Sequence, residues 1–159
     1  MKRLLLAAVA LLLIFACWLV LTPMPAGIPI LEYHMVDEAP AEDERVYNVP
    51  PEEFQEQLDY LQQQGYTTIT MFDYAKARKG KFDLPAKPVI LTFDDGYEDN
   101  YTTMLPILEA HGMKATVYMV TNDIGRPEYF SWNQLRDMQD RGVEVGSHTA
   151  NHQPLTTLE

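Results

Sequence analysis

Pro88-Val89-Ile90-Leu91-Thr92-Phe93-Asp94-Asp95-Gly96 is an apolar run that stops on two adjacent carboxylates and a glycine. Uncharged and rich in β-branched and aromatic side chains, residues 88–93 read as a buried strand of the kind that parallel sheets carry. Asp-Gly is among the commonest turn pairs, so the end of this run also has an ordinary reading as a turn. Burial of the run weighs against that reading. Two neighbouring carboxylates at the end of a buried strand are costly unless a cation or a proton offsets them.

On both sides of this strand the pattern alternates. Ile28 to Val36 reads as a first short strand, followed by a polar, acidic loop from Asp37 to Asn48. Pro50-Pro51 opens a helix with Phe54, Leu58 and Leu61 on one face, and Gly65 stops it. Tyr66 to Thr70 is expected as the second strand and Met71 to Arg78 as the next helix. After the central strand, a helix from about Met104 to His111 carries Pro106 in its first turn, where the missing N–H costs little. Ala115 to Val120 and Val143 to Gly146 complete five strands. Between them, Ser131-Trp132-Asn133-Gln134 matches a capping box that opens a helix burying Leu135 and Met138. A further helix is expected to begin after Pro154. Strand-helix alternation with short connections implies an α/β fold with a parallel sheet, open or closed into a barrel. No dinucleotide fingerprint and no Walker-type phosphate loop follows any strand.

Parallel α/β folds place ligands at the carboxyl ends of their strands. Strand one ends in Glu32-Tyr33-His34, strand three in Asp94-Asp95 and strand five in Ser147-His148, so three strands deliver His or Asp to one face. His148 and His152, four apart at what reads as a strand-to-helix junction, can share one side of a helical turn and chelate one ion. A His-x-x-x-His pair alone is weak evidence, and a hydrolytic zinc site needs a third protein ligand and an open position for water. Asp95 supplies a hard oxygen from a neighbouring strand end, and Asp94 beside it can take a proton from water. Gly96 allows a tight turn and close approach of a substrate.

Thr92-Phe93-Asp94-Asp95-Gly96 followed by His148-Thr149-Ala150-Asn151-His152 resembles the first two motifs of the NodB-type polysaccharide deacetylases, carbohydrate esterase family 4. The resemblance covers most of residues 28–159 and the motif pair is highly specific. It implies a distorted (β/α) barrel, incomplete in this chain, and hydrolysis of N-acetyl groups from an extracellular or cell-wall polymer containing N-acetylglucosamine. By match to the motifs, Asp94 would be the general base and Asp95, His148 and His152 the metal ligands. Pro29-Ile30-Leu31-Glu32-Tyr33-His34 resembles the opening of the poly-N-acetylglucosamine deacetylase branch, whose permuted motif order gives His34 the role of general acid. The expected cofactor is Zn²⁺, with Co²⁺, Ni²⁺ or Fe²⁺ able to occupy the same donor set.

The chain begins with Lys2 and Arg3 and an apolar run from Leu4 to about Thr22, which as a helix would span roughly 28 Å. Three readings compete: a cleavable signal, a lipoprotein signal using Cys17, and an uncleaved anchor. The anchor is preferred for its length and for the poor cleavage pattern at Met24-Pro25-Ala26. The basic start places the remainder of the chain outside the cytoplasm, single-pass at the cell membrane or, on the other readings, secreted or lipid-anchored. The resulting organisation is an anchor or signal over 1–22, a linker over 23–29 and a partial deacetylase domain over 30–159. Cys17 is the only cysteine, which excludes disulfides and a Cys-based zinc site within one chain. Net charge is −11, and without Lys2 and Arg3 the rest carries 10 basic against 23 acidic residues, or −13. Such a surface argues against nucleic acid and tolerates neutral or cationic polymers, including a partly deacetylated amino-sugar chain. A closed barrel of the commonest kind needs roughly eight strands, so the five read here also suit a catalytically silent, membrane-tethered fragment that binds saccharide or a partner.

The remaining polar residues are given lesser parts. His111 is expected at a solvated helix end and Trp132 in packing, or alternatively in sugar stacking. Asn100-Tyr101-Thr102 is a formal glycosylation sequon, and Glu98, Asp99 and Asp123 either line the cleft or face water.

Overall fold

The computed structural model describes residues 27–157. The apolar run over 1–22 and most of the linker over 23–29 lie outside the described residues. Among the described residues no helix is long and apolar enough to cross a membrane.

Five parallel strands form one sheet: β1 (Ile30–Tyr33), β2 (Thr67–Thr68), β3 (Pro88–Phe93), β4 (Thr116–Met119) and β5 (Glu144–Ser147), in the order β1-β3-β4-β5 with β2 paired to the start of β3. The helices are α1 (Pro51–Gln63), α2 (Met71–Ala77), α3 (Leu105–Ala110) and α4 (Trp132–Asp140). The expected alternation is therefore present, with β3 placed centrally and buried along Val89–Phe93. Among the described residues the sheet is open, because β1 and β5 occupy opposite ends of the order. The sequence-based bounds run too wide at β1 and β2. The second strand shrinks to two residues, Thr67 and Thr68, paired in register with Pro88 and Val89.

The core lies between the sheet and the helices. Phe54, Leu58 and Leu61 of α1, spaced as one helical face, are buried together with Tyr33, Leu91 and Phe93. Tyr33 stacks on Phe93 at 5.1 Å between ring centroids, and Phe54 meets both rings edge-on at 5.3 and 5.7 Å. Such pairs each add about 0.5–1.5 kcal/mol beyond area burial, and here they fix β1 against β3, from which His34 and Asp94 project.

The other elements are held by satisfying helix ends. Glu52 and Glu53 sit in the first turn of α1, where the helix dipole favours negative charge. At α2, Thr70 and Asp73 form a capping box. The exposed donors of Met71 and Phe72 are accepted by Thr116 Oγ1 at 3.1 Å and Glu144 Oε2 at 2.7 Å, which ties the helix start to β4 and β5. Ser131 and Gln134 form the expected box at α4, whose inward face is Leu135 and Met138. Trp132 departs from the packing role expected of it and is 56% exposed. The helix expected from Met104 instead opens with a π-helical turn over Asn100–Met104, in which the Leu105 N–H reaches back to Asn100 O. That widened turn comes directly before Pro106, which has no N–H to donate. After Pro154 the described residues make a 3-10 turn, Leu155–Thr157.

Three side chains take parts that the sequence does not reveal. His111 is not at a solvated end. Its ring is largely buried between the Ile107 carbonyl at 2.7 Å and Asp59 Oδ1 at 3.0 Å, bridging α3 to α1. Asn100 is fully buried and donates from Nδ2 to the His34 carbonyl at 2.9 Å, which removes the sequon from the folded surface. Asp99 neither faces water freely nor reaches into the cleft with both oxygens. It accepts from the Val36 N–H at 3.0 Å and from Asn100 Nδ2 at 2.6 Å.

Burial pushes the Asp99 carboxyl up to about 6, against the hydrogen bonds that favour its charged form. A carboxyl whose folded value exceeds its unfolded one gives stability that is complete below the unfolded value and lost as pH rises through the folded value. From about pH 4 to about pH 6 this group should therefore remove on the order of 1–3 kcal/mol from the wild-type chain. Asp99→Asn should abolish that pH-dependent loss, as read from urea denaturation of both chains at pH 4 and pH 7.

Candidate metal centre

β3 delivers Asp94 and Asp95 at its carboxyl end, and the backbone there is bent sharply. Asp95 has φ +72 and Gly96 φ +87, both in the left-handed region that side chains rarely adopt. Gly96 is required twice over, since a Cβ on it would lie 1.8 Å from Met119 Sδ at the end of β4. The bend turns the Asp95 carboxylate inward, leaving the residue 8% exposed with Oδ1 buried and without a hydrogen bond. An orphaned carboxylate oxygen in such a place calls for a positive partner.

The partners come from the loop after β5. His148 Nε2 and His152 Nε2 each stand 3.4 Å from Asp95 Oδ1, and the two rings lie 4.8 Å apart. The loop is not the helical turn expected of it. Thr149 and His152 have φ +69 and +54, so the chain folds back on itself and brings His152 toward His148 without helical geometry. Hydrogen bonds to the neighbouring loop after β4 hold this shape. Thr121 N–H donates to Thr149 O at 3.1 Å, Asn122 N–H to Ala150 O at 3.1 Å, and His152 N–H to Thr149 Oγ1 at 2.8 Å. One buried carboxylate oxygen and two imidazole nitrogens thus converge from two strand ends. The set fits a divalent ion of the zinc class, which takes nitrogen and oxygen ligands at about 2.0–2.2 Å and keeps an open position for water in hydrolytic sites.

Asp94 and His34 lie beside this set. Asp94 is half-buried and its N–H donates to Tyr33 O at 2.9 Å, so β1 and β3 pair up to the site itself. Burial raises its carboxyl above the ordinary range. His148 and His34 pull it back, whereas Glu32 and Asp95 push it further up. His34, Asp95 and His152 line one cavity of about 210 Å³ together with Tyr47, Tyr97 and Tyr129. Tyr97 and Tyr129 stack at 5.3 Å, and burial, then the Asp95 charge, raises the Tyr97 phenol, which keeps its proton. The structure thus brings together all five residues singled out in the sequence: His34, Asp94, Asp95, His148 and His152. It adds Tyr47, Tyr97 and Tyr129 as walls. These three follow no periodic pattern and come from separate loops, so nothing in the sequence groups them. Asp123 also lines the cavity and pairs with Arg126, and Glu98 accepts from Gln134 on the exposed surface.

Residues 81–159 match the polysaccharide deacetylase family. The chain is 34% identical over 137 residues to the polysaccharide deacetylase YxkH of Bacillus subtilis, covering 86% of this chain and 47% of that one. It is 33% identical over 141 residues to the poly-beta-1,6-N-acetyl-D-glucosamine N-deacetylase of Escherichia coli, covering 79% and 21%. Among solved structures, the deacetylase PplD of Streptococcus pyogenes, in complex with acetate, superposes with TM-score 0.76 at 29% identity, over 86% of this chain and 62% of that one. IcaB of Ammonifex degensii gives 0.68 at 31%, over 78% and 53%. The chain spans about half the length, or less, of the two curated relatives named here.

Gly96→Ala should destabilise the fold by more than about 2 kcal/mol, because it joins a steric overlap to a disfavoured φ. Adding Met119→Ala should restore part of that loss by removing the overlap alone. Thermal denaturation of the three chains checks this, and an unchanged melting temperature in Gly96→Ala would contradict the bend described.

Proposed function

Since this chain carries a polysaccharide deacetylase domain of the NodB-like kind, we propose that it hydrolyses N-acetyl groups from an N-acetylglucosamine polymer with a divalent metal ion held by Asp95, His148 and His152. The observation that carries this reading is the convergence of both imidazoles on the buried Asp95 Oδ1, which has no hydrogen bond. Two nitrogens and one oxygen suit Zn²⁺, with Co²⁺, Ni²⁺ and Fe²⁺ as rivals for the same donors. When bound, such an ion lowers the pKa of water and polarises the amide carbonyl. The protein's own groups do the rest. Asp94, whose carboxyl burial raises above its ordinary range and so makes more basic, accepts the proton of the attacking water. His34, beside Asp94 at the end of the neighbouring strand, donates a proton to the departing nitrogen. Water adds across the C–N bond, so acetate is released and a free amino group remains on the sugar. The cavity of about 210 Å³ walled by Tyr47, Tyr97 and Tyr129 has room for an acetamido group beside His34, Asp95 and His152.

The names of the relatives support an amino-sugar polymer as substrate, and the poly-beta-1,6-linked one foremost. Residues 1–22 as an anchor or signal, 23–29 as a linker and an extracytoplasmic site at the membrane complete the proposal. Their support is the basic start and apolar run of the sequence.

Asp94→Asn should lower acetate release from N-acetylglucosamine oligomers by about 10²–10⁴-fold while retaining the ion. His152→Ala should weaken zinc binding in calorimetry by more than the roughly 10–100-fold that loss of a supporting outer partner costs. Loss of the ion in Asp94→Asn would show the two aspartates to be misassigned. A zinc-loaded wild-type chain that binds oligomers and releases no acetate would favour the silent, saccharide-binding alternative.

A further inference from the structure

Glu32 has no part in the chemistry above, yet it stands with two residues that do. Glu32 on β1 and His34 just past its end are two apart in an extended stretch and therefore share one face. The β1–β3 register pairs Tyr33 with Phe93, which sets Asp94 next to His34. One oxygen of Glu32, one nitrogen of His34 and one oxygen of Asp94 all lie within 4.8 Å of one another. Ligands of a zinc-class ion at about 2.1 Å stand about 3.4 Å apart, so small side-chain rotations close the set. Among the described residues no lysine or arginine forms an ion pair with either carboxylate. Two negative groups and an imidazole are thus gathered with no cation between them.

We propose that Glu32, His34 and Asp94 form a second divalent-cation site, weaker than the first, whose filling inhibits the enzyme. It is weaker because it offers one imidazole instead of two and because neither of its carboxylates is buried as deeply as that of Asp95. Filling it inhibits because the ion takes the Asp94 oxygen that accepts a proton and the His34 nitrogen that donates one. The effect on catalysis rests on the roles assigned to Asp94 and His34 above, whereas the site itself rests only on the geometry of the three side chains.

The test is a zinc titration of the full chain, followed by calorimetry and, with Co²⁺ as a probe, by visible absorption. Wild-type protein should take up two ions in separate steps, and acetate release should rise through the first step and fall through the second. Glu32→Gln should keep the first step and lose the second, and the zinc concentration giving half-inhibition should increase at least about tenfold. Retention of the first step shows that the variant is folded. A single step in the wild-type chain, or a second step and inhibition unchanged in Glu32→Gln, overturns the proposal. Absence of acetate release at every zinc concentration would overturn the deacetylase reading instead, and the two binding isotherms would still decide whether the second site exists.

Discussion

A buried carboxylate oxygen without a partner is the constraint around which this molecule is arranged. Asp95 Oδ1 sits at the end of the most buried strand, where water cannot solvate it. Charge in such a place is stable only if positive groups are carried to it and held there. The neighbouring structure does this from two directions. β3 fixes the carboxylate through its pairing on both edges, and the loop after β5 returns two imidazoles to the same point. The elements between serve to bring β5 into position beside β4.

The cost of the arrangement is carried by the backbone. Asp95, Thr149 and His152, none of them glycine, all adopt positive φ, and the three cluster at one site. Strain of this kind persists only where surroundings over-determine it. Here the surroundings are the packing of Met119 against Gly96 and the paired loops after β4 and β5. The strained backbone and its packing thus hold the Asp95, His148 and His152 donor atoms close together.

Much of this was legible in the sequence, for reasons that can be named. The buried strand over 88–93 is visible because its apolar run is unbroken, and the helix starts at Pro51 and Ser131 because caps and proline act locally. The five site residues are visible because parallel sheets gather strand ends, so a residue's place in its strand predicts its place in space. What escaped depends on contacts distant in the chain. The sequence shows His148 and His152 as a helix-spaced pair, but the loop is shaped by Thr121 and Asn122 some thirty residues earlier. Asp99 and His111 appear as surface groups because their partners, Val36 and Asp59, are 63 and 52 positions away. The tyrosine walls are invisible for the same reason.

Asn100 carries a consequence for how the protein can be made. Its side chain lies fully inside the molecule and supports the carbonyl of His34. The folded chain therefore offers no acceptor at Asn100-Tyr101-Thr102, but the unfolded chain does. A eukaryotic secretory host that attaches glycans during translocation meets the unfolded form first. A sugar tree fixed there has no volume to occupy beside β1, so native yield in such a host would come only from molecules that escaped modification.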